Sequence, residues 1–120
     1  MASAYKETGS WTSFVYVGVQ GGLDSYCLAR NINATSAGLI LASAQLDANA
    51  VGYGSEIVVN LYLDGASIGK NFQFSLTSGG FYTSASGAQT VPAGLHSIQI
   101  CVGGAALVSW TPYFSINALI

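Results

Sequence analysis

The chain has 120 residues, of which 51% are hydrophobic and 7% are charged, and its formal net charge is -2 at pH 7. Its three basic residues cannot neutralise a run of phosphates, which argues against a nucleic-acid-binding protein. No apolar run reaches the roughly 18 residues of a membrane-spanning helix, and the amino terminus lacks the apolar core of a signal peptide. Because a monomer with so few charges has difficulty keeping a soluble surface, we expect much of the surface to be buried against other subunits.

The amino-terminal half alternates strand-like and turn-like segments. Residues 1–12 are polar and mixed, and we expect an N-terminal arm whose end is anchored by Trp11. Residues 13–19 and 23–32 are rich in apolar, aromatic and β-branched residues and predict two strands. The alanines of residues 37–47 tolerate a helix, but the β-rich surroundings favour a strand there as well.

Residues 56–76 predict a β-hairpin, because Asp64-Gly65 joins two alternating apolar runs and suits a type I′ turn. A two-residue turn would place Leu63 opposite Ala66 and Ile57 opposite Phe72. Since side chains alternate between the faces of a sheet, one face would then point to the core. That expected core face consists of Ile57, Val59, Leu61, Leu63, Ile68, Phe72, Phe74 and Leu76. The other face carries Tyr62 and polar residues, and we expect it to meet water or a partner.

The carboxyl-terminal half continues in the same way. Residues 113–120 are apolar up to the last position, which is most simply explained by a central strand between two neighbours. Short strands separated by turns at this spacing predict an all-β fold, a jelly-roll-like antiparallel β-sandwich of about eight strands within a single domain over 13–120. The remaining segments are predicted strands over 81–83, 95–102 and 105–110, a loop or weak edge over 84–89, and turns at 77–80, at 90–94 and at Gly103-Gly104.

Cys27 and Cys101 both lie within apolar, strand-like runs. We expect buried free thiols that act as small hydrophobic side chains, with a disulfide across the sheets as the alternative. Two cysteines and one histidine cannot supply the four ligands of a zinc site within one chain.

No pattern predicts catalysis. His96 is the only histidine, and the adjacent Ser97 would point to the opposite face of its strand, so we expect a structural hydrogen bond or an interface role for His96. The spacing of Asp24, Asp47 and Asp64 does not match a calcium-binding loop. Glu56 and Lys70 are expected to lie close enough to pair, with little energetic effect if they are exposed.

Aromatic residues are frequent and could build a sugar-stacking site, although such residues more often fill cores or interfaces. Tyr62 stands out, because the hairpin register places it opposite the core face. The full set is Tyr5, Trp11, Tyr16, Tyr26, Tyr53, Tyr62, Tyr82, Trp110 and Tyr113.

Two segments resemble the tumour-necrosis-factor-like jelly-roll superfamily. Residues 113–120, Tyr-Phe-Ser-Ile-Asn-Ala-Leu-Ile, resemble its last strand, which runs near a threefold axis. Residues 90–98 are similar to the Val-Pro-Ala-Gly-x-His turn and strand of many such heads and of phage virion proteins with that fold. With the Leu-Asp-Gly hairpin, the resemblance covers about half of the chain. In its small size the chain is most similar to the phage capsid decoration (cement) proteins. This resemblance implies a trimer that is bound at capsid threefold positions.

This resemblance implies a non-enzymatic virion structural protein, made in the host cytoplasm, that binds the major capsid protein and stabilises the assembled phage head as a homotrimer on the virion surface. We expect no cofactor and no metal ion. Deleting the arm should weaken capsid binding and leave the trimer intact. The alternative is a carbohydrate-binding or adhesion head, such as a fibre tip or a lectin-like module. Candidate trimer-interface residues are Tyr62, Tyr113, Phe114, Ile116 and Leu119, and candidate capsid contacts are Tyr5, Lys6 and Trp11.

Overall fold

The computed structural model describes residues 3–120, and Met1 and Ala2 of the predicted arm lie outside the described residues. Nine strands follow one another, with one turn of 3-10 helix at Trp11–Ser13 between the first two. The strands are β1 Ser3–Gly9, β2 Val15–Gln20, β3 Leu23–Ala34, β4 Gly38–Ala50, β5 Ser55–Leu63, β6 Ala66–Ser75, β7 Gly79–Val91, β8 Gly94–Ala105 and β9 Leu107–Leu119.

The strands form two sheets that pack face to face. The four-stranded sheet has the order β1-β9-β4-β7, the five-stranded sheet has the order β2-β3-β8-β5-β6, and the described neighbours pair antiparallel. This is a jelly-roll sandwich, which confirms the predicted fold class. The last strand, β9, lies between β1 and β4, so the prediction of a central carboxyl-terminal strand is also confirmed.

The core lies between the sheets and follows the alternation of the strands. In β4 and β5, every second side chain is buried, which confirms a strand rather than a helix for residues 38–47. The largest fully buried side chains come from four strands of both sheets and are Ile40, Leu46, Ile57, Leu61, Leu63, Ile98, Ile100 and Ile116.

The hairpin between β5 and β6 has the predicted turn but not the predicted register beyond it. Asp64 and Gly65 have φ values of 51° and 84°, as a type I′ turn requires, and Leu63 lies opposite Ala66. Farther from the turn, an irregularity between Leu61 and Tyr62 shifts the pairing by one residue. Phe72 therefore pairs with Val58 and points away from the core.

The expectation that Phe72, Phe74 and Leu76 face the core is wrong, because a shift of one residue exchanges the two faces of a strand. Their side chains are 47%, 37% and 64% exposed. Glu56 and Lys70 lie four positions apart along the hairpin: Glu56 lies opposite Phe74 and Lys70 opposite Asn60, and residues 3–120 contain no ion pair between the two.

The two sheets come into close contact where β6 passes β7. A Cβ atom added to Gly69 would lie 2.7 Å from the Ser86 carbonyl oxygen, and one added to Gly87 would lie 2.6 Å from that of Ile68. The amide of Asn71 donates a hydrogen bond across the same gap to the Ser84 carbonyl oxygen at 3.0 Å. Glycine is required at both positions because a side chain would push the sheet edges apart.

The prediction of an N-terminal arm is corrected by the structure at the side of the sandwich opposite β6 and β7. Residues 3–9 form β1 and pair with β9. Glu7 of β1 reaches across to β3, where the Arg30 guanidinium donates two hydrogen bonds to its carboxylate, at 2.7 and 3.0 Å. The Tyr5 hydroxyl donates to the same carboxylate. The segment is thus an integral edge strand held by backbone pairing and an ion pair.

Two smaller expectations are also corrected. Residues 84–89 are part of the continuous strand β7 rather than a loop. Gly103 and Gly104 are buried within β8, and the turn follows at Ala106, where φ is 56°.

Candidate functional site

The outer face of the five-stranded sheet is concave and forms an open groove of about 640 Å³. The register explains its shape in two rows, because the side chains there are longer on β6 and β5 and smaller on β8 and β3. One row across the groove is Phe72, Val58, Gly103 and Ser25, and the next is Lys70, Asn60, Cys101, Cys27 and Val15. Val17 and Leu23 form the side opposite Phe72.

The floor of the groove is low because its side chains are small. A Cβ atom on Gly103 would lie 3.1 Å from Val58 Cγ1 and 3.2 Å from Ser25 Oγ, so the position has little room for a side chain. The Ser25 hydroxyl turns away and donates to the Leu23 carbonyl oxygen at 3.0 Å. A ligand could therefore approach the sheet closely at this point.

Cys27 and Cys101 form a disulfide in this floor, which corrects the expectation of free thiols. They lie directly opposite each other on β3 and β8, with their Cα atoms 4.1 Å apart. This spacing is close to that of a non-hydrogen-bonded pair in an antiparallel ladder, so the register itself brings the two sulfur atoms together. The bond joins neighbouring strands of one sheet rather than the two sheets.

The polar side chains of the groove are partly preorganised. The Asn60 amide nitrogen donates to the Tyr62 hydroxyl oxygen at 2.7 Å, and the Ser67 hydroxyl donates to the Asn60 amide oxygen at 3.2 Å. Gln99 of β8 lies opposite Tyr62 of β5. Lys70 is the one charged side chain among the lining residues, and no carboxylate lines the groove.

The outer face of the four-stranded sheet is shallower, and the side chains at its centre are uncharged. Its three central rows are Tyr113, Gln45 and Ser84; Ser115, Ser43 and Ser86; and Asn117, Leu41 and Ala88. Two shallow depressions of about 350 and 450 Å³ lie side by side along these rows. The charged residues of this face, Lys6 and Asp47, lie outside the centre of the face, on the edge strand β1 and in an adjoining row.

The five candidate trimer-interface residues do not share one surface. Phe114 and Ile116 are 4% and 0% exposed and fill the core of the chain itself, which removes their side chains from the candidates. Tyr113 and Leu119 lie on the outer face of the four-stranded sheet, and Tyr113 is 47% exposed. Tyr62 lies in the groove on the opposite sheet, so one flat interface cannot contain all three.

Two of the three candidate capsid contacts are engaged within the chain. Trp11 packs on Tyr26, with the ring centroids 4.7 Å apart, and on Trp110 at 5.4 Å. Tyr5 is half-buried and bonded to Glu7, and burial together with that carboxylate raises its pKa. Lys6 is exposed on the edge strand β1.

His96 makes the structural hydrogen bonds that we expected. Its Nδ1 lies 2.7 Å from an Asp64 carboxylate oxygen, and its Nε2 lies 2.8 Å from the Pro92 carbonyl oxygen. Because both ring nitrogens face acceptors, the doubly protonated ring is favoured and the pKa of His96 is raised above its ordinary value of 6.5. The His96 hydrogen bond and the Ser97 backbone N–H lower the pKa of Asp64. The pair ties the hairpin turn to the start of β8.

The remaining acidic residues do not converge. Asp24 accepts a hydrogen bond from the Tyr16 hydroxyl at 3.0 Å, and Asp47 accepts one from the Gln45 amide at 2.6 Å. Among residues 3–120, no group of three histidine, cysteine or acidic side chains could hold a metal ion. None of the helical structure in that range is long and apolar enough to cross a membrane.

Sequence reasoning identified Tyr62 as outward-facing but missed the groove around it. Cys27, Ser25 and Gly103 come to line one groove with Tyr62 only through the order of the strands, which local patterns do not encode. The exposed Phe72 was missed because nothing in the sequence indicated the register shift.

No protein-family model matches this sequence, and no similar sequence was found among curated proteins. Among solved structures, the chain is similar to dimeric latent PorU from Porphyromonas gingivalis, with a TM-score of 0.59 and 13% identity over 99% of this chain and 13% of that one. It is similar to the C-terminal, sugar-binding domain of EclA, with a TM-score of 0.51 and 14% identity over 97% of this chain and 81% of the other. A third similar structure is that of the infectious bursal disease virus Gx strain, with a TM-score of 0.50 and 16% identity over 98% of this chain and 33% of the viral one.

These comparisons establish the jelly-roll fold and nothing finer, because the identities are all below 20%. The chain corresponds to a minor part of the PorU and viral chains and to most of the EclA domain.

Proposed function

We propose that the protein is a non-enzymatic virion structural protein that forms a homotrimer through the outer face of its four-stranded sheet and decorates an assembled phage capsid. The observation that carries the proposal is the uncharged centre of that face, where Tyr113, Ser115 and Asn117 of β9 run beside β4. Core positions of protein interfaces are depleted of charge, and tyrosine is enriched there.

The size of the face fits an interface between subunits. The four strands have 7, 13, 13 and 13 residues, and at about 3.3 Å per residue and about 4.8 Å between strands they cover roughly 700 Å². This is the area that each partner contributes to a standard protein–protein interface. A covered face would also explain how a chain with 7% charged residues stays soluble.

The disulfide supports the proposal that the protein functions outside the reducing environment of the cytoplasm. Disulfides persist on virion and cell surfaces, where glutathione and thioredoxin do not reduce them. A decoration protein that binds only the assembled shell stabilises that shell by mass action. Such binding requires no catalytic group.

The oligomeric state is tested first, by light scattering of the purified chain at about 100 µM, a concentration at which typical specific interfaces are saturated. We expect about 37 kDa, three times the chain mass of 12.3 kDa. Ser43→Arg places a charge at the centre of the face and should yield monomers, whereas Thr35→Arg, in the exposed loop before β4, should leave the trimer intact. A monomeric wild type, or a Ser43→Arg trimer, contradicts the proposal.

The capsid step is tested by co-sedimentation with assembled phage heads and with dissociated capsid subunits. We expect the trimer to sediment with the heads and not with the subunits. A trimer that sediments with neither removes the decoration role.

A further inference from the structure

We propose that the groove on the outer face of the five-stranded sheet is a binding site for an oligosaccharide, whose pyranose rings pack on Phe72 and Tyr62 and whose hydroxyls bond to Asn60 and Gln99. The groove lies on the side of the sandwich opposite the proposed trimer surface. Each can therefore be present without the other, and the inference does not depend on the proposed function.

The shape of the groove suits an extended chain ligand. The lining residues extend across the strands from Phe72 on β6 to Val17 on β2, four strand spacings or about 19 Å, and along β5 from Val58 to Tyr62, about 13 Å. Its volume of about 640 Å³ falls within the range of small-molecule sites.

The side chains match the chemistry of a sugar. Phe72 is 47% exposed and Tyr62 is half-exposed, so parts of both rings are accessible to the C–H groups on the apolar side of a pyranose. Amide side chains present donors and acceptors together, as neighbouring hydroxyls do. Asn60 keeps one amide hydrogen after its bond to Tyr62, and the Gln99 amide makes no hydrogen bond to any residue of 3–120.

The backbone argues against a peptide as the ligand. The floor strands β3, β8 and β5 are paired on both sides, so their N–H and C=O groups are already used in the ladders. An extended peptide binds a sheet by pairing with a free edge, and a face offers it no such partners. A hydroxyl-rich ligand needs only the side chains that rise from the face.

The charge of the groove narrows the class of sugar. Because Lys70 is the one charged lining residue, neutral glycans meet no repulsion and a glycan with uronic acid units gains one ion pair. A highly sulfated polyanion would need more cations than the groove provides.

The test is a calorimetric titration of the full chain with mannohexaose, cellohexaose, xylohexaose, galactohexaose, chitohexaose and trigalacturonate. We expect at least one to bind with a dissociation constant on the order of 0.1 mM. Phe72→Ala and Tyr62→Ala should each weaken that binding about tenfold or more. Tyr53→Ala is the matched control, since Tyr53 is 80% exposed outside the groove, and binding should change less than about twofold.

Lys70→Gln separates the two kinds of sugar. It should weaken the binding of trigalacturonate about tenfold and change the binding of a neutral hexasaccharide by less than about twofold. Circular dichroism and thermal unfolding check that each variant is folded, and Phe72→Tyr, which keeps a ring at the site, should retain binding. The inference is overturned if no probe binds at about 10 mM, or if a bound sugar is unaffected by both Phe72→Ala and Tyr62→Ala.

Discussion

Removing the disulfide between Cys27 and Cys101 should destabilise the protein severely, because the bond closes a long loop of the unfolded chain. The two residues are 74 positions apart in sequence. In the chain-entropy model, a cross-link of this length lowers the entropy of the unfolded state by about 15 cal/mol/K, which is about 4.5 kcal/mol at 25 °C. A domain of this size is typically stable by about 5–15 kcal/mol, so the reduced form is expected to retain only part of its stability.

The assay is chemical denaturation of the wild type and of the double variant Cys27→Ser/Cys101→Ser. Tryptophan fluorescence reports on the transition, since Trp11 and Trp110 both pack on Tyr26, which is adjacent to Cys27. We expect a loss of about 4 kcal/mol and a melting temperature lower by roughly 15 °C. Reductant should lower the stability of the wild type to that of the double variant and leave the double variant unchanged.

Mass spectrometry of the alkylated, unreduced protein decides whether the wild type starts with a disulfide. If it does, and the double variant loses less than about 1 kcal/mol, the loop-entropy argument is refuted. If both cysteines are alkylated without reduction, the assignment of the bond itself is wrong.

Three further predictions concern other parts of the fold. Because the pKa of His96 is raised, its bond to Asp64 stabilises the protein fully below pH 6.5, and this contribution is lost as the pH rises through the raised pKa. The urea midpoint of unfolding should therefore fall in alkaline solution. In the His96→Asn variant this fall in the midpoint should be absent. At the other end of the range, the lowered pKa of Asp64 means that its contribution is lost as the pH falls below 3.8. Gly87→Ala should cost about 1–3 kcal/mol in denaturant unfolding because the new Cβ meets the Ile68 carbonyl oxygen, while Ala29→Val, on the exposed outer face of the other sheet, should change stability by less than about 0.5 kcal/mol. Glu7→Gln should lower stability by about 1 kcal/mol and speed the hydrogen exchange of β1 amides, and unchanged exchange would show that backbone pairing alone holds the strand.

Several features of the fold could be predicted because they depend on neighbouring residues. Asp64-Gly65 specifies a type I′ turn, since both positions need positive φ, and the turn forms as expected. The alternation in 38–50 and 95–102 specifies which side chains enter the core, because successive residues of a strand point to opposite faces. The apolar ending, residues 113–120, predicted a central last strand because terminal residues are usually polar and frayed unless neighbours hold them in place.

Features that depend on contacts between distant segments could not be predicted in this way. Residues 3–9 are polar and read as an arm, and only β9 and Arg30 make them a strand. The register shift in β6 turns Phe72 outward, and it accompanies a close approach of Gly69 to β7, whose Gly87 is 18 residues away in sequence.

The sequence by itself therefore determined the turn, the all-β class and most of the strands, because these follow from local conformational preference and from burial with a period of two. The tertiary structure decided the disulfide, the groove around Tyr62 and the uncharged face along β9. Each of these depends on which strands become neighbours and in what register, and that choice is made by the packing of the whole sandwich.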